Sequence, residues 1–114
     1  MGSIYHLFPA GSWNSEAQGP YGEELVNRDG FIHCSFSHQL AKTANRFFAR
    51  EPELFAMEID ADRLSSRLVC EDGGAGELFP HVYGPIDRGA VVMVKQLIRD
   101  AGGEWIWPSA DSGS

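Results

Sequence analysis

Two short apolar stretches that contain polar side chains limit the folds open to this chain. They are residues 30–35 (GFIHCS) and residues 79–85 (FPHVYGP). Short runs of this kind, bounded by glycine and proline, are typical of β-strands that are at least half buried. A histidine inside such a strand conflicts with simple burial, and conflicts of this kind are typical of functional sites. We therefore expect the two stretches to line one pocket.

One segment of the remaining chain has clear helical periodicity. Apolar residues recur at helical spacing from Leu40 to Phe48, behind an N-cap candidate at Ser37, which predicts a main helix over residues 38–50. Other runs predict strands over residues 4–8, 54–59, 68–70 and 104–107, and a short helix over residues 13–18. Residues 90–98 could form a strand or a helix, and their branched side chains favour a strand. Strands outnumber helices and do not alternate with them regularly. We therefore expect an α+β domain in which one main helix packs on a mostly antiparallel sheet.

Length and charge narrow the class of protein. A chain of 114 residues is long enough for one domain with a core, which we expect over residues 1–107, with a flexible tail over residues 108–114. The formal net charge of −7 argues against general nucleic-acid binding, because affinity for the phosphate backbone depends on lysine and arginine. Neither a membrane-spanning apolar run nor a signal peptide is recognisable, so we expect a cytoplasmic protein. Cys34 and Cys70 are expected to be buried free thiols.

The polar residues of the two apolar stretches have matched spacing. His33 and Ser35 are two residues apart, as are His81 and Tyr83. Residues two apart in a strand point to the same face, so these four side chains would form one cluster if the strands approach each other. Such a cluster can bind a phosphate, hold a ribose hydroxyl or relay a proton near neutral pH. The alternative is that each is a half-buried residue bonded to backbone or water.

Several isolated residues are further candidates. His6 lies in the first predicted strand, and Glu71 lies at the end of the strand over residues 68–70. Trp13 and Tyr21 could form a wall for a flat ring, or close one edge of the core. Arg46 belongs to the basic face of the main helix, which either is solvated or reaches an anionic ligand. No close-spaced pair of metal ligands is present, so no metal is expected.

Taken together, these segments resemble a known family. The matching residues are Ile4-Tyr5-His6, Trp13, GFIHCS with Gln39, Ala44-Asn45-Arg46-Phe47-Phe48, Glu71, and FPHVYGP with Ala90-Val91. They resemble DUF952, a bacterial and plant family of unknown function, over nearly the whole chain to about Leu97. The resemblance implies the fold of the ADP-ribosylation superfamily, in which two small antiparallel sheets pack at an angle around a cleft that holds NAD in the transferases.

The resemblance also implies a ligand and a set of site residues. The implied ligand is NAD, ADP-ribose or a related phosphorylated ribose, and an enzyme of this kind would be ADP-ribosyltransferase-like or RNA 2′-phosphotransferase-like. His6 matches the first-strand histidine of that superfamily, Ser35 a strand serine, and Glu71 is the candidate for its late glutamate. The candidate catalytic residues are His6, His33, Ser35, Glu71, His81 and Tyr83, and the candidate ligand-binding residues are Tyr5, Trp13, Gln39 and Arg46. In this hypothesis His6 and Tyr83 position the nicotinamide ribose, and Arg46 the pyrophosphate.

Two other functions remain open. His33-Cys34-Ser35 fits the H-x-[ST] element of the two-histidine phosphoesterases, in which paired histidines act as acid and base on a cyclic phosphate. The second element would have to be His81-Val82-Tyr83, with tyrosine in place of serine or threonine. The other alternative is a non-catalytic module for ligand sensing or protein interaction. Such a module would have kept the cleft and lost the catalytic activity.

Overall fold

The computed structural model describes residues 2–73 and 76–107. Its strands are β1 (Ser3–Pro9), β2 (Ile32–His33), β3 (Leu54–Asp60), β4 (Arg67–Asp72), β5 (Leu78–Tyr83), β6 (Val91–Gln96), β7 (Ile98–Arg99) and β8 (Trp105–Ile106). Its α-helices are α1 (Glu23–Asp29) and α2 (Leu40–Phe47), and 3-10 turns lie at Ser37–Gln39, Ala61–Arg63 and Arg88–Ala90. The tail predicted over residues 108–114 lies outside the described residues.

Two three-stranded antiparallel sheets form the body of the molecule. The first sheet has the strand order β1-β3-β6 and the second has the order β2-β5-β4, while β7 and β8 form a separate two-stranded ladder. A backbone bridge joins the two sheets: the Tyr5 N–H donates to the Ser35 carbonyl at 2.8 Å, and the Ser35 N–H donates to the Tyr5 carbonyl at 2.7 Å. These elements confirm the predicted α+β class, with small antiparallel sheets and few helices.

Alternation along β1 explains how the sheets and α2 pack. Ile4 and Phe8 belong to a core cluster that also contains Ile32 and Val82 of the second sheet. Tyr5 and Leu7, on the other face of the strand, belong to a cluster with residues of α2. Because successive side chains point to opposite faces of a strand, β1 is buried on both sides. His6 therefore points to the side of β1 that faces the second sheet.

The main helix is shorter than the predicted span of residues 38–50. Its α-helical part is Leu40–Phe47, and Ser37–Gln39 before it form a 3-10 turn. The Gln39 side chain accepts a hydrogen bond from the Phe36 N–H at 2.9 Å, so the helix is capped at Phe36 rather than at Ser37. At the other end the helix stops at Phe48, whose backbone leaves helical geometry. Pro52 disfavours helical backbone at Glu51, the residue directly before it, so the helix cannot continue through this point.

The helix predicted over residues 13–18 is wrong, and a helix is found later instead. Residues 13–18 form turns in which the Asn14 side chain accepts a hydrogen bond from the Glu16 N–H at 3.0 Å. Asparagine makes such local bonds at the expense of helix. The helix α1 begins after Gly22 and ends at Gly30, with φ angles of +93° and +88°. Glycine adopts these left-handed conformations without the steric cost of a side chain.

Candidate functional site

The two apolar stretches of the sequence form paired strands. Strand β5 lies between β2 and β4 in the second sheet. In the antiparallel pairing of β5 with β2, His81 lies opposite His33. In its pairing with β4, His81 lies opposite Val69. The rings of the two histidines are 5.6 Å apart between centroids, at an angle of 70°. The histidines of the two apolar stretches therefore lie next to each other on one face of the second sheet.

Two adjoining cavities lie beside this pair. The first cavity has a volume of about 350 Å³ and is lined from β1, α1 and the β2 segment, with His6, Tyr21, Arg28, His33, Cys34, Ser35 and Phe48 among its walls. The second cavity has a volume of about 390 Å³ and is lined by His33, Cys34, Arg46, Phe47, Phe48, Gly73, Phe79 and His81. His33, Cys34 and Phe48 line both cavities, so they form the wall between them. Both predicted histidine motifs thus contribute to the second cavity.

His6 is a buried link between three segments of the chain. Its Nδ1 lies 2.8 Å from the carbonyl oxygen of His33, so Nδ1 carries the hydrogen and donates it. Its Nε2 then accepts the hydroxyl of Tyr21 at 3.1 Å. Burial lowers the pKa of His6 to about 4, which keeps the ring neutral at neutral pH. Both ring nitrogens are therefore engaged by the protein itself.

His81 is oriented by a carboxylate. Its Nδ1 lies 2.7 Å from Oε1 of Glu71, and the Tyr83 hydroxyl donates to the same oxygen at 2.6 Å. The hydrogen bonds from Tyr83 and His81 lower the pKa of Glu71, and Glu71 in turn raises the pKa of Tyr83. In the tautomer that carries its hydrogen on Nδ1, His81 presents the lone pair of Nε2, and no described residue is hydrogen-bonded to that atom. The His81 side chain also lines the second cavity.

His33 differs from His81 in its exposure. Its side chain is 63% exposed, and its Nε2 lies 3.4 Å from Oδ2 of Asp29. Partial burial lowers the pKa of His33, while Asp29 opposes that shift. The ring of Phe31 lies 4.6 Å from the His33 ring and stacks on the His81 ring at 4.1 Å. Each histidine thus has a carboxylate neighbour and shares an aromatic one.

A comparison with known proteins places the chain in a family. The family model for DUF952, described as a protein of unknown function, matches residues 7–94. The chain belongs to the DUF952 family. A search of curated proteins finds no match to this DUF952 chain.

Solved structures of one bacterial relative share the fold of this DUF952 protein. The crystal structure of protein CC0527 from Caulobacter crescentus is 31% identical with a TM-score of 0.78, over 91% of this chain and 93% of that chain. A crystal structure of a double mutant of CC0527 is 30% identical with a TM-score of 0.77, over the same shares. The solution NMR structure of CC0527 is 31% identical with a TM-score of 0.72, over 91% of each chain.

The remaining candidate residues of the DUF952 chain are spread more widely. Ser35 is buried at the bridge to β1 and lines the first cavity, and Arg46 lies over the Phe47 ring and lines the second. Tyr5 and Trp13 are not among the residues that line either cavity: Tyr5 packs in the core beside α2, and Trp13 packs on Tyr21 and beneath Arg88. Tyr83 and Glu71 also lie outside both linings.

Gln39 has a structural role in the DUF952 fold. Its side chain is buried, and its Nε2 donates to the Leu78 carbonyl at 2.9 Å and to Glu77 at 3.0 Å. With the bond from the Phe36 N–H, the amide joins the start of α2 to the start of β5. All of its groups are thus engaged within the protein.

Two predictions about single residues need correction. Cys34 and Cys70 are both free, but Cys70 is exposed rather than buried. It lies near the end of β4, the edge strand of the second sheet, where less of the core covers it. Glu71 lies within β4 rather than at the end of the predicted strand, because pairing with β5 extends β4 to Asp72.

Sequence reasoning missed several site residues that a simple rule could have found. Phe31 shares the strand face of His33 by two-residue spacing, and Phe79 shares that of His81 in the same way. Asp29 precedes His33 by four residues, next to the helix end at Gly30. The described residues contain no group of three or more metal-ligating side chains placed to hold a metal ion. No helix in the described part of the chain is long and apolar enough to cross a membrane.

Proposed function

We propose that this DUF952 protein binds NAD, ADP-ribose or a related phosphorylated ribose ligand in the two adjoining cavities. The observation that carries the proposal is the second cavity, where His33, His81 and Arg46 meet phenylalanine rings. Its volume of about 390 Å³ is in the range of small-molecule sites, roughly 300–1,000 Å³. The first cavity provides adjoining space for a ligand with a second ring.

Each lining group has a chemical counterpart in such a ligand. Arg46 is a permanent cation, and a phosphate needs at least one well-placed cation or a cradle of backbone N–H groups. Imidazole nitrogens of the two histidines can bind ribose hydroxyls or phosphate oxygens. The rings of Phe47 and Phe79 offer apolar surface to a base or a nicotinamide. Charge, polar groups and aromatic surface therefore occur together in one cavity.

The arrangement of sheets supports the same proposal at the level of the fold. Two small antiparallel sheets meet at the bridge between Tyr5 and Ser35, and the first cavity is lined from both. We infer from this arrangement an ADP-ribosylation-like fold, in which the ligand would lie in a cleft between the two sheets. In such a fold the first cavity would be the part of the site between the sheets, while the second cavity is lined from the second sheet and α2.

The contacts revise the roles expected of single residues. Both ring nitrogens of His6 are bonded within the protein, and Tyr83 lines neither cavity, so we assign ligand contact to His33 and Arg46 instead. Glu71 is bonded to His81 and Tyr83 and also lies outside both linings. A transferase would need such a glutamate at the ribose, so the proposal is for binding rather than for ADP-ribosyl transfer.

Thermal-shift and calorimetric titrations test the proposal. The ligands are NAD, ADP-ribose, nicotinamide and a 2′,3′-cyclic nucleotide, and the variants are Arg46→Ala and His33→Ala. A ligand at about a hundred times its Kd should stabilise the native protein by about 2.7 kcal/mol. Arg46→Ala should weaken binding about tenfold or more, because a charge-assisted hydrogen bond contributes about 1.5–3 kcal/mol.

Two exposed residues of the same types serve as matched controls. Arg50→Ala and His38→Ala remove exposed side chains that line neither cavity, and should bind as the wild type does. The proposal would be wrong if none of the four ligands stabilised the protein. It would also be wrong if Arg50→Ala weakened binding as much as Arg46→Ala.

A further inference from the structure

We propose that His33 and His81 form an acid–base pair that hydrolyses the 2′,3′-cyclic phosphate of a nucleotide held in the second cavity. This role rests on the proposed ligand site and adds a reaction and a substrate class to it. The two rings lie directly across neighbouring strands, 5.6 Å apart between centroids, and both line the cavity that Arg46 also lines. We place the phosphoryl group in this cavity, which the two imidazoles and the cation line together.

His81 is arranged as the proton acceptor. Glu71 accepts the hydrogen of Nδ1, so the neutral tautomer has its lone pair on Nε2, and no described residue occupies that nitrogen. A carboxylate that fixes a histidine tautomer also stabilises the imidazolium that forms when the ring takes up a proton. Glu71 is therefore a positioning residue that acts through His81.

His33 is arranged as the proton donor. It lies beside the carboxylate of Asp29, at 3.4 Å, and its side chain is largely exposed, so it can exchange protons with solvent. Arg28 forms two hydrogen bonds to the same carboxylate and keeps Asp29 ionised. Partial burial lowers the pKa of His33, and a phosphate anion bound beside the ring would oppose that shift, because an opposite charge favours the charged form.

The proposed step balances in atoms and protons. His81 Nε2 removes a proton from a water molecule as the water oxygen attacks phosphorus. A new phosphorus–oxygen bond forms, one ring bond from phosphorus to a ribose oxygen breaks, and protonated His33 gives its proton to that leaving oxygen. The product is a nucleoside monophosphate with one phosphate ester and one free hydroxyl. His81 ends protonated and His33 neutral, and exchange with solvent restores both.

The geometry accounts for the tyrosine that departs from the H-x-[ST] pattern. The Tyr83 hydroxyl donates to Glu71 at 2.6 Å, and Tyr83 lines neither cavity. A serine or threonine at this position is too short to make the same bond across the strand. Tyr83 therefore supports the carboxylate behind His81, and contact with the phosphate is left to Arg46.

Phosphorus NMR on the full chain with 2′,3′-cyclic AMP tests the inference. The wild type should convert the cyclic phosphate to a monoester. His33→Ala and His81→Ala should each lower kcat about a hundredfold or more, the size expected for loss of a general acid or base. Because kcat is measured at saturating substrate, weaker substrate binding does not lower the measured kcat. His38→Ala, at an exposed histidine outside both cavities, should keep the wild-type rate.

Glu71→Gln separates positioning from contact with the substrate. Since Glu71 lines neither cavity, we expect kcat to fall about tenfold while KM stays the same. Thermal unfolding of every variant shows whether it is folded. Should His81→Ala fail to fold, His33→Ala decides the question, because its side chain is exposed and its loss leaves no buried cavity.

The contrary outcomes separate the inference from the proposed function. Binding of the cyclic nucleotide, or of NAD or ADP-ribose alone, without any turnover would overturn the acid–base role and leave the ligand site standing. Turnover that persists in His33→Ala would also overturn it. No binding of any of these ligands would overturn both.

Discussion

At the scale of single residues, His6 is held neutral by its surroundings while it ties three segments together. Its Nδ1 bonds the β2 backbone at His33, and its Nε2 bonds the Tyr21 hydroxyl. Burial raises the pKa of Tyr21, so this hydroxyl stays protonated and remains a donor. A proton on His6 would remove the acceptor that Tyr21 needs. Protonation of His6, which needs a pH of about 4, should therefore break this link.

We predict that His6 makes stability depend on pH in the acid range. Below its ordinary value of 6.5 the unfolded chain protonates this histidine, whereas the folded form does so only near pH 4. The unfolded state therefore binds the proton first, and stability falls as the pH drops from about 6.5 to about 4, by about 3 kcal/mol in all. Above that range the contribution is fully present.

Urea unfolding at several pH values measures this loss. His6→Gln removes the titrating ring, so the stability advantage of the wild type over this variant should shrink on acidification. His38→Gln, at an exposed histidine, should keep the wild-type dependence. Parallel curves for the wild type and His6→Gln would show that the burial of His6 does not set the pH dependence.

At the scale of elements, the three strands of the second sheet decide which side chains meet. The two-residue period was sufficient to predict that His33 and Ser35 share a face, and that His81 and Tyr83 do. It could not predict that His33 pairs with His81, because register across 48 residues of sequence depends on the packing of both strands on the core. Nor could it show that Ser35 bridges to β1, and so faces the first cavity rather than the second.

We predict that Gln39 joins two elements and does not bind a ligand. Gln39→Ala should lower the free energy of unfolding by about 2–3 kcal/mol, because it leaves the Phe36 N–H and the Leu78 carbonyl without this partner. Gln18→Ala, at an exposed position, should change it by less than about 0.5 kcal/mol. Urea unfolding at neutral pH gives both values. Equal, small effects of the two substitutions would contradict the structural role.

At the scale of the whole molecule, the fold class followed from the number and spacing of strands, but the cleft did not. The way in which the two sheets are joined depends on the bridge between Tyr5 and Ser35, which no local pattern signals. The end of α2 was also set by tertiary contacts, since Phe48 leaves the helix to pack in the core and line both cavities. Composition was informative on charge, because that property does not depend on how the chain folds.

We predict that the molecule discriminates against long nucleic acids. A net charge of −7 repels a polyanion as a whole, whereas a single nucleotide in the proposed site meets Arg46 and its neighbours. Gel-shift titration with a single-stranded RNA at physiological salt should show no complex at concentrations that saturate a small ligand. RNA binding that is tighter than mononucleotide binding, and that weakens steeply with salt, would contradict this.

The two cysteines differ in exposure, so their rates of alkylation can report on local opening of the structure. Cys70 is exposed, while Cys34 is buried in the wall between the cavities, where burial raises the pKa of its thiol. Alkylating reagents attack the thiolate, so they modify Cys70 in the folded state and reach Cys34 only when that wall opens. Mass spectrometry measures the ratio of doubly to singly alkylated chains over time. This ratio therefore reports how often the wall between the two cavities opens, without any introduced probe.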